Sequence, residues 1–143
     1  MCANDLLEEA RRAARNAYCP YSRFPVGAAV ETERGVFTGC NVENASYGLA
    51  ICAERVALFS AVAAGARAFR RLAVTCLRVA PDASVSERMP CGACRQVMAE
   101  FLPPEAEVIV DGAGIWKVCE LLPEGFRMKG QSMPEDGSGS ENG

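Results

Sequence analysis

Apolar residues recur at helical spacing near the start of the chain. Leu6, Ala10, Ala13 and Ala17 fall on one face, with Asn4 or Asp5 where a helix cap belongs. Tyr18-Cys19-Pro20-Tyr21-Ser22 ends that pattern, because proline disfavours helix at the residue before it. Val26 to Glu31 and Val36 to Val42 then read as strands joined through Glu33-Arg34-Gly35, followed by a loop over Asn44 to Gly48. A second helix is expected from Ile51 to Ala64, with Gly65 as its C-terminal stop. Leu72 to Val79 has the apolar run and length of a strand, and Ala80 to Pro90 reads as loop. Gly92 to Leu102 forms a third helix closed by Pro103-Pro104. Glu107 to Asp111 and Ile115 to Val118 are short strands around Gly112-Ala113-Gly114, and a helical turn follows at Glu120 to Leu122. From Met128 onward, Gly, Ser, Pro and acidic residues lack apolar periodicity. That predicts a folded domain over 1–127 and a disordered tail over 128–143. Alternating helix and strand place the chain in the α/β class, a sheet with helices on both faces.

Composition narrows the chemistry. At 143 residues and 50% hydrophobic, the chain has the size of one domain with one core. It holds eight cysteines and no histidine. Every site that needs imidazole is therefore excluded, including Ser-His-Asp and Cys-His hydrolases and HExxH proteases. Any metal must be held by sulfur or oxygen. A net charge of −3 and the lack of a basic run argue against a nucleic-acid partner. The first residues lack a signal-peptide pattern, and no apolar stretch reaches membrane-spanning length. A cytoplasmic protein is expected, in which the cysteines act as thiols or metal ligands.

Two short motifs carry reactive groups. Cys52-Ala53-Glu54 opens the second helix and Pro90-Cys91-Gly92-Ala93-Cys94 opens the third. A helix N-terminus favours a thiolate, and residues three apart share a helical face, so Cys91 and Cys94 can grip one ion. With Cys52 they offer three thiolates to a tetrahedral zinc with one position open, the mark of a catalytic site. Glu54 is placed to exchange protons with a bound water without being a ligand. Three thiolates and Zn²⁺ sum to −1, and Arg55 is adjacent to offset that charge by hydrogen bonds to the sulfurs.

Alone, each fragment has a plainer reading. A CxxC pair serves structural zinc sites and redox proteins, Glu54 at a helix start is favoured by the dipole, and Arg55 is an ordinary surface residue. Together they match the zinc-deaminase pattern of H-x-E with P-C-x-x-C in its three-cysteine form, with Cys52 where the histidine stands. The non-enzymatic alternative is a structural zinc module closed by a fourth thiolate from Cys40, Cys76 or Cys119.

On these residues the sequence resembles the homotetrameric cytidine deaminases of pyrimidine salvage. Pro20 to Ala29 is similar to that family's PYSxFxVGAA segment, and Asn41 to Gly48 to its NVENASYG. Cys52-Ala53-Glu54-Arg55 and Pro90 to Gln96 resemble its zinc motifs, and Leu121-Leu122-Pro123 with Phe126 its LLPxxF. The stretch from Ala80 to Arg88 follows no such pattern. The resemblance implies a three-layer α/β/α sandwich on a mixed sheet of about five strands. It implies one zinc per subunit and hydrolysis of cytidine and 2′-deoxycytidine to the uridine forms, with Glu54 shuttling protons. It further implies that Asn41 and Glu43 bind the ribose, that Phe24 packs beside the base, and that Ala53 lines the pocket. Tyr47 and Phe126 would reach a neighbouring subunit's pocket. Blasticidin-type and polynucleotide-editing deaminases share the zinc logic; NVENASYG favours a nucleoside over the first, and the acidic charge and absent histidine speak against the second. Cys2, Cys19, Cys40, Cys76 and Cys119 are left as small buried hydrophobes.

Overall fold

The computed structural model describes residues 1–138. The first helix, α1 (Ala3–Ala14), turns Leu6, Leu7, Ala10, Ala13 and Ala14 inward. Its cap differs from expectation. Cys2 occupies the cap position and Asp5 lies inside the helix, where its carboxylate accepts from the Cys2 amide at 3.1 Å. Asp5 therefore works as the third-residue partner of a capping box. Ala17 lies beyond the helix end, because the amides of Asn16 and Ala17 close short turns onto Ala13 and Ala14. Tyr18 then bridges to Val42.

Five strands follow the order β2-β1-β3-β4-β5. They are β1 (Val26–Thr32), β2 (Gly35–Cys40), β3 (Phe69–Cys76), β4 (Glu107–Val110) and β5 (Gly114–Lys117). β3 and β4 are parallel and every other neighbouring pair is antiparallel. Both faces of the central strands are buried, and alternate residues serve different helices. Ala29, Ala73 and Ile109 meet Leu6 and Ala10 of α1. Ala28, Val30, Leu72, Val74 and Val108 meet α2 (Ala53–Ala63) and α3 (Gly92–Phe101) on the other face. The result is the expected three-layer α/β/α sandwich on a mixed sheet.

Two glycines set how closely the layers approach. A Cβ at Gly27 would lie 2.0 Å from the Ala10 carbonyl oxygen of α1, and one at Gly39 would lie 2.4 Å from the Ala57 amide of α2. β3 stops at Cys76 rather than Val79, because its pairing with β1 begins at Val26 and the next amide, Leu77, turns to Pro25. The expected loops hold short 3-10 turns at Tyr47–Leu49 and Val85–Arg88. The chain closes with α4 (Val118–Leu121), which begins two residues before the expected turn.

Residues 128–138 form no helix or strand, yet they touch the body. Gln131 donates to the Glu100 carboxylate at 3.0 Å, and Arg70 to the Asp136 carbonyl at 3.5 Å. The remainder of the expected tail, 139–143, lies outside the described residues. Among the described residues no helix is long and apolar enough to cross a membrane.

Candidate active site

The N-termini of α2 and α3 converge. Cys52 is the cap residue of α2, Cys91 the cap residue of α3, and Cys94 sits in the first turn of α3. Their sulfurs lie within 4.8 Å of one another, with Cys52 to Cys91 at 3.8 Å and Cys91 to Cys94 at 3.5 Å. Zinc–sulfur bonds of about 2.3 Å in a tetrahedron place ligand sulfurs about 3.8 Å apart, so the tripod fits zinc. Among the described residues no fourth cysteine or carboxylate joins this group. Cys40, Cys76 and Cys119 are thus not positioned to close a structural site.

The electrostatics suit a cation. The neighbouring Cys94 side chain, with Arg55 and Cys91, holds the Cys52 thiol down to about 5. The same pairing with Cys52, together with burial, pushes the Cys94 thiol up. A divalent ion held here would favour the ionised form of the thiols. Arg55 donates from Nη2 to the Cys52 sulfur at 3.4 Å, and the thiolates raise its own pKa in turn.

A cavity of about 250 Å³ opens beside the sulfurs, lined by Cys52, Ala53, Glu54, Cys91, Phe24, Asn41 and Glu43 among others. Glu54 is 4% exposed and stands outside the sulfur group. Burial, and secondarily the charge of Cys52, pushes its carboxyl up to about 7. A carboxyl poised there can take and return a proton near neutral pH.

The sugar-binding candidates are partly committed to the chain. Asn41 accepts from the Val26 amide at 2.8 Å and donates to the Phe24 carbonyl at 2.9 Å, which fixes the segment carrying Phe24. Glu43 accepts the amides of Tyr21 and Ser22 on Oε1, leaving Oε2 for a ligand. Bonds from Ser22 and Tyr21 hold its carboxyl below the ordinary value. Tyr47 and Phe126 are not brought into this cavity. They are 76% and 70% exposed, with Tyr47 edge-on to Tyr21 and the Phe126 backbone held by Gln96.

Among the lining residues that were not anticipated, Cys76, Glu87 and Arg88 carry ionisable side chains. Glu87 and Arg88 arrive on the turn after Ala80. Ser84-Val85-Ser86-Glu87 is itself a capping-box pattern, a signal that would have placed a helical turn there. The expectation that the remaining cysteines are buried hydrophobes needs correction. Cys2 and Cys119 are exposed, and Cys19, Cys40 and Cys76 are half-buried. Cys2, Cys40 and Cys76 sit at element ends, Cys19 lies in the loop between α1 and β1, and Cys119 lies in the one-turn helix that starts at Val118. Burial of Cys76 pushes its thiol up to about 11.

Comparison with known proteins agrees with this geometry. The model of the cytidine and deoxycytidylate deaminase zinc-binding region matches residues 2–110. A cytidine deaminase of Sporosarcina psychrophila is 48% identical over 131 residues, covering 88% of this chain and 92% of that protein. The crystal structure of cytidine deaminase from Burkholderia pseudomallei superposes with a TM-score of 0.77 at 50% identity, over 88% of this chain and all of that one. That of Mycobacterium tuberculosis gives 0.75 at 39% identity, over 87% and 97%. A three-thiolate tripod at two helix starts, a buried glutamate beside it and these matches agree: the chain belongs to the zinc-binding cytidine and deoxycytidylate deaminase family.

Proposed function

We propose that this chain hydrolyses cytidine and 2′-deoxycytidine to uridine and 2′-deoxyuridine, releasing ammonia. The observation that carries the reading is Glu54, buried at the cavity wall beside three cysteine sulfurs that no fourth cysteine or carboxylate joins among the described residues. Cys52, Cys91 and Cys94 would hold one zinc ion. When bound, zinc supplies a water acidified toward neutral pH as the nucleophile for C4. Glu54 would accept one proton from that water and deliver it to N3 of the ring, then take the proton of the hydroxyl formed at C4 and pass it to the amine, so that ammonia leaves as the C4 carbonyl forms. The free oxygen of Glu43 accepts from a ribose hydroxyl, and the remaining amide hydrogen of Asn41 donates to the sugar. Phe24 packs beside the base and Ala53 forms the wall next to Glu54.

The assembly is a homotetramer in which Tyr47 and Phe126 complete neighbouring pockets. Support comes from their exposure and from the exposed apolar side chains of Tyr21, edge-on to Tyr47, and of Val42 and Leu49. All eight cysteines are unpaired, which fits a reducing cytoplasm. Residues 128–138 lie outside the catalytic unit. The test is loss of ultraviolet absorbance by cytidine, 2′-deoxycytidine and free cytosine with the zinc-loaded protein. Turnover of both nucleosides and little of the free base is expected. No turnover of either nucleoside overturns the reading.

A further inference from the structure

The chain is acidic overall, with a net charge of −3, yet three of its arginines are left together without an acidic neighbour. Arg15 follows α1, Arg23 lies in the turn before β1, and Arg78 stands two residues past β3. With Tyr18, Cys19 and Leu77 they line one cleft of about 530 Å³, which no aspartate or glutamate borders. Among the described residues every other arginine donates a side-chain hydrogen bond or joins an ion pair. Arg15, Arg23 and Arg78 do neither. Guanidinium groups gathered around a concavity repel one another, and among the described residues no acidic side chain lines the cleft to offset that repulsion.

The scaffold beneath them is fixed. Arg23 has a φ of 55°, a left-handed backbone that residues other than glycine rarely adopt, and its amide is tied to the Cys19 carbonyl at 2.8 Å. Strained positions held by their surroundings cluster at ligand clamps. Leu77 is tied to the Pro25 carbonyl at 3.1 Å, which sets the residue before Arg78 against the same segment.

We propose that this cleft is an anion site for the polyphosphate group of a small molecule. The guanidinium fork matches phosphate oxygens, and three forks from three elements match several adjoining phosphates better than one. The cleft shares no lining residue with the catalytic cavity. The segment from Tyr18 to Pro25 borders both, with Phe24 on the cavity and Arg23 on the cleft. Its Tyr21 and Ser22 amides hold Glu43 on the cavity side, while Arg23 lines the cleft.

The experiment is calorimetric titration of inorganic triphosphate into the full-length, zinc-loaded protein at low and at physiological salt. Saturable binding of one triphosphate per chain is expected, weakening with salt and at least tenfold tighter than inorganic phosphate. Arg15→Ala and Arg78→Ala, both at exposed positions, should each weaken it tenfold or more while cytidine turnover stays at the parent level. A nucleoside triphosphate titrated in parallel separates the sources. Tighter binding assigns the site to nucleotides, and equal binding to the polyphosphate alone. Absence of saturable binding, or equal binding by the variants, overturns the proposal. So does a change of oligomer mass in Arg78→Ala without triphosphate binding in the parent, which would give the cleft to a second copy of the chain.

Discussion

At Glu54 the local sequence and the tertiary fold make separate contributions. Its place two residues after Cys52 sets it at the start of α2, but its burial comes from the sheet and α3 closing over that start. Replacement by glutamine keeps size and burial while removing the transferable proton. Glu54→Gln should therefore bind zinc like the parent and lose roughly 10²–10⁴ in kcat, the usual worth of a positioned acid–base group. Metal analysis alongside the ultraviolet assay checks it, and parental turnover would remove Glu54 from the proton path. Arg55 acts one step further out, through the Cys52 sulfur. Arg55→Ala should weaken zinc binding by roughly 10–100-fold, read by competition with a chromophoric chelator, and Arg55→Lys should restore part of it. The clustered cysteines were legible because each falls at a helix start, and the spacing of Cys91 and Cys94 sets both on one face of α3. Arg88 was not, since it reaches the cavity from a turn whose side chain is held by the Ala80 and Pro81 carbonyls.

Elements were legible where periodicity ran long and blurred where partners decide the ends. The core of each helix and strand followed from apolar spacing. The ends of α1 and β3 did not, because short turns onto Ala13 and Ala14 and the start of β1 set them. No local pattern announces Gly39 as a contact point, yet it governs how α2, and with it Cys52 and Glu54, sits on the sheet. Gly39→Ala should cost about 1–3 kcal/mol in urea denaturation, the usual price of overpacking, and lower zinc occupancy because α2 must shift. A second tie joins elements a hundred residues apart: Arg11 of α1 makes two hydrogen bonds to Asp111 after β4, and Thr75 adds a third. Arg11 first, then Thr75, holds the Asp111 carboxyl below its ordinary 3.8. A carboxyl depressed in the folded state stabilises above its unfolded pKa and stops doing so as pH falls through the folded value. With Arg11 about a third exposed, solvent screening leaves the pair worth about 1 kcal/mol. Asp111→Asn should lose that much at pH 7, and the gap should narrow once the pH falls below 3.8. An equal loss at both ends would assign the effect to packing instead of charge.

For the whole molecule, the sequence patterns alone set the class of fold, whereas the completeness of the pocket is a matter of assembly. One chain supplies the sulfurs, Glu54 and the Asn41–Glu43 wall, but its Tyr47 and Phe126 face outward. If the pockets are shared, a site combines Glu54 from one chain with Phe126 from another. Glu54→Gln and Phe126→Ala would each be impaired alone, yet together they can rebuild an intact pocket from the Glu54 of one variant and the Phe126 of the other. Unfolding the two variants, mixing them and refolding with zinc should restore activity in about a quarter of the pockets under random assembly. The same mixture made without unfolding should stay near the sum of the separate activities, because subunits then do not exchange. A refolded mixture no more active than that sum would confine each pocket to one chain. The Gln96 bond to the Phe126 backbone would then serve only to fix the C-terminal segment on α3.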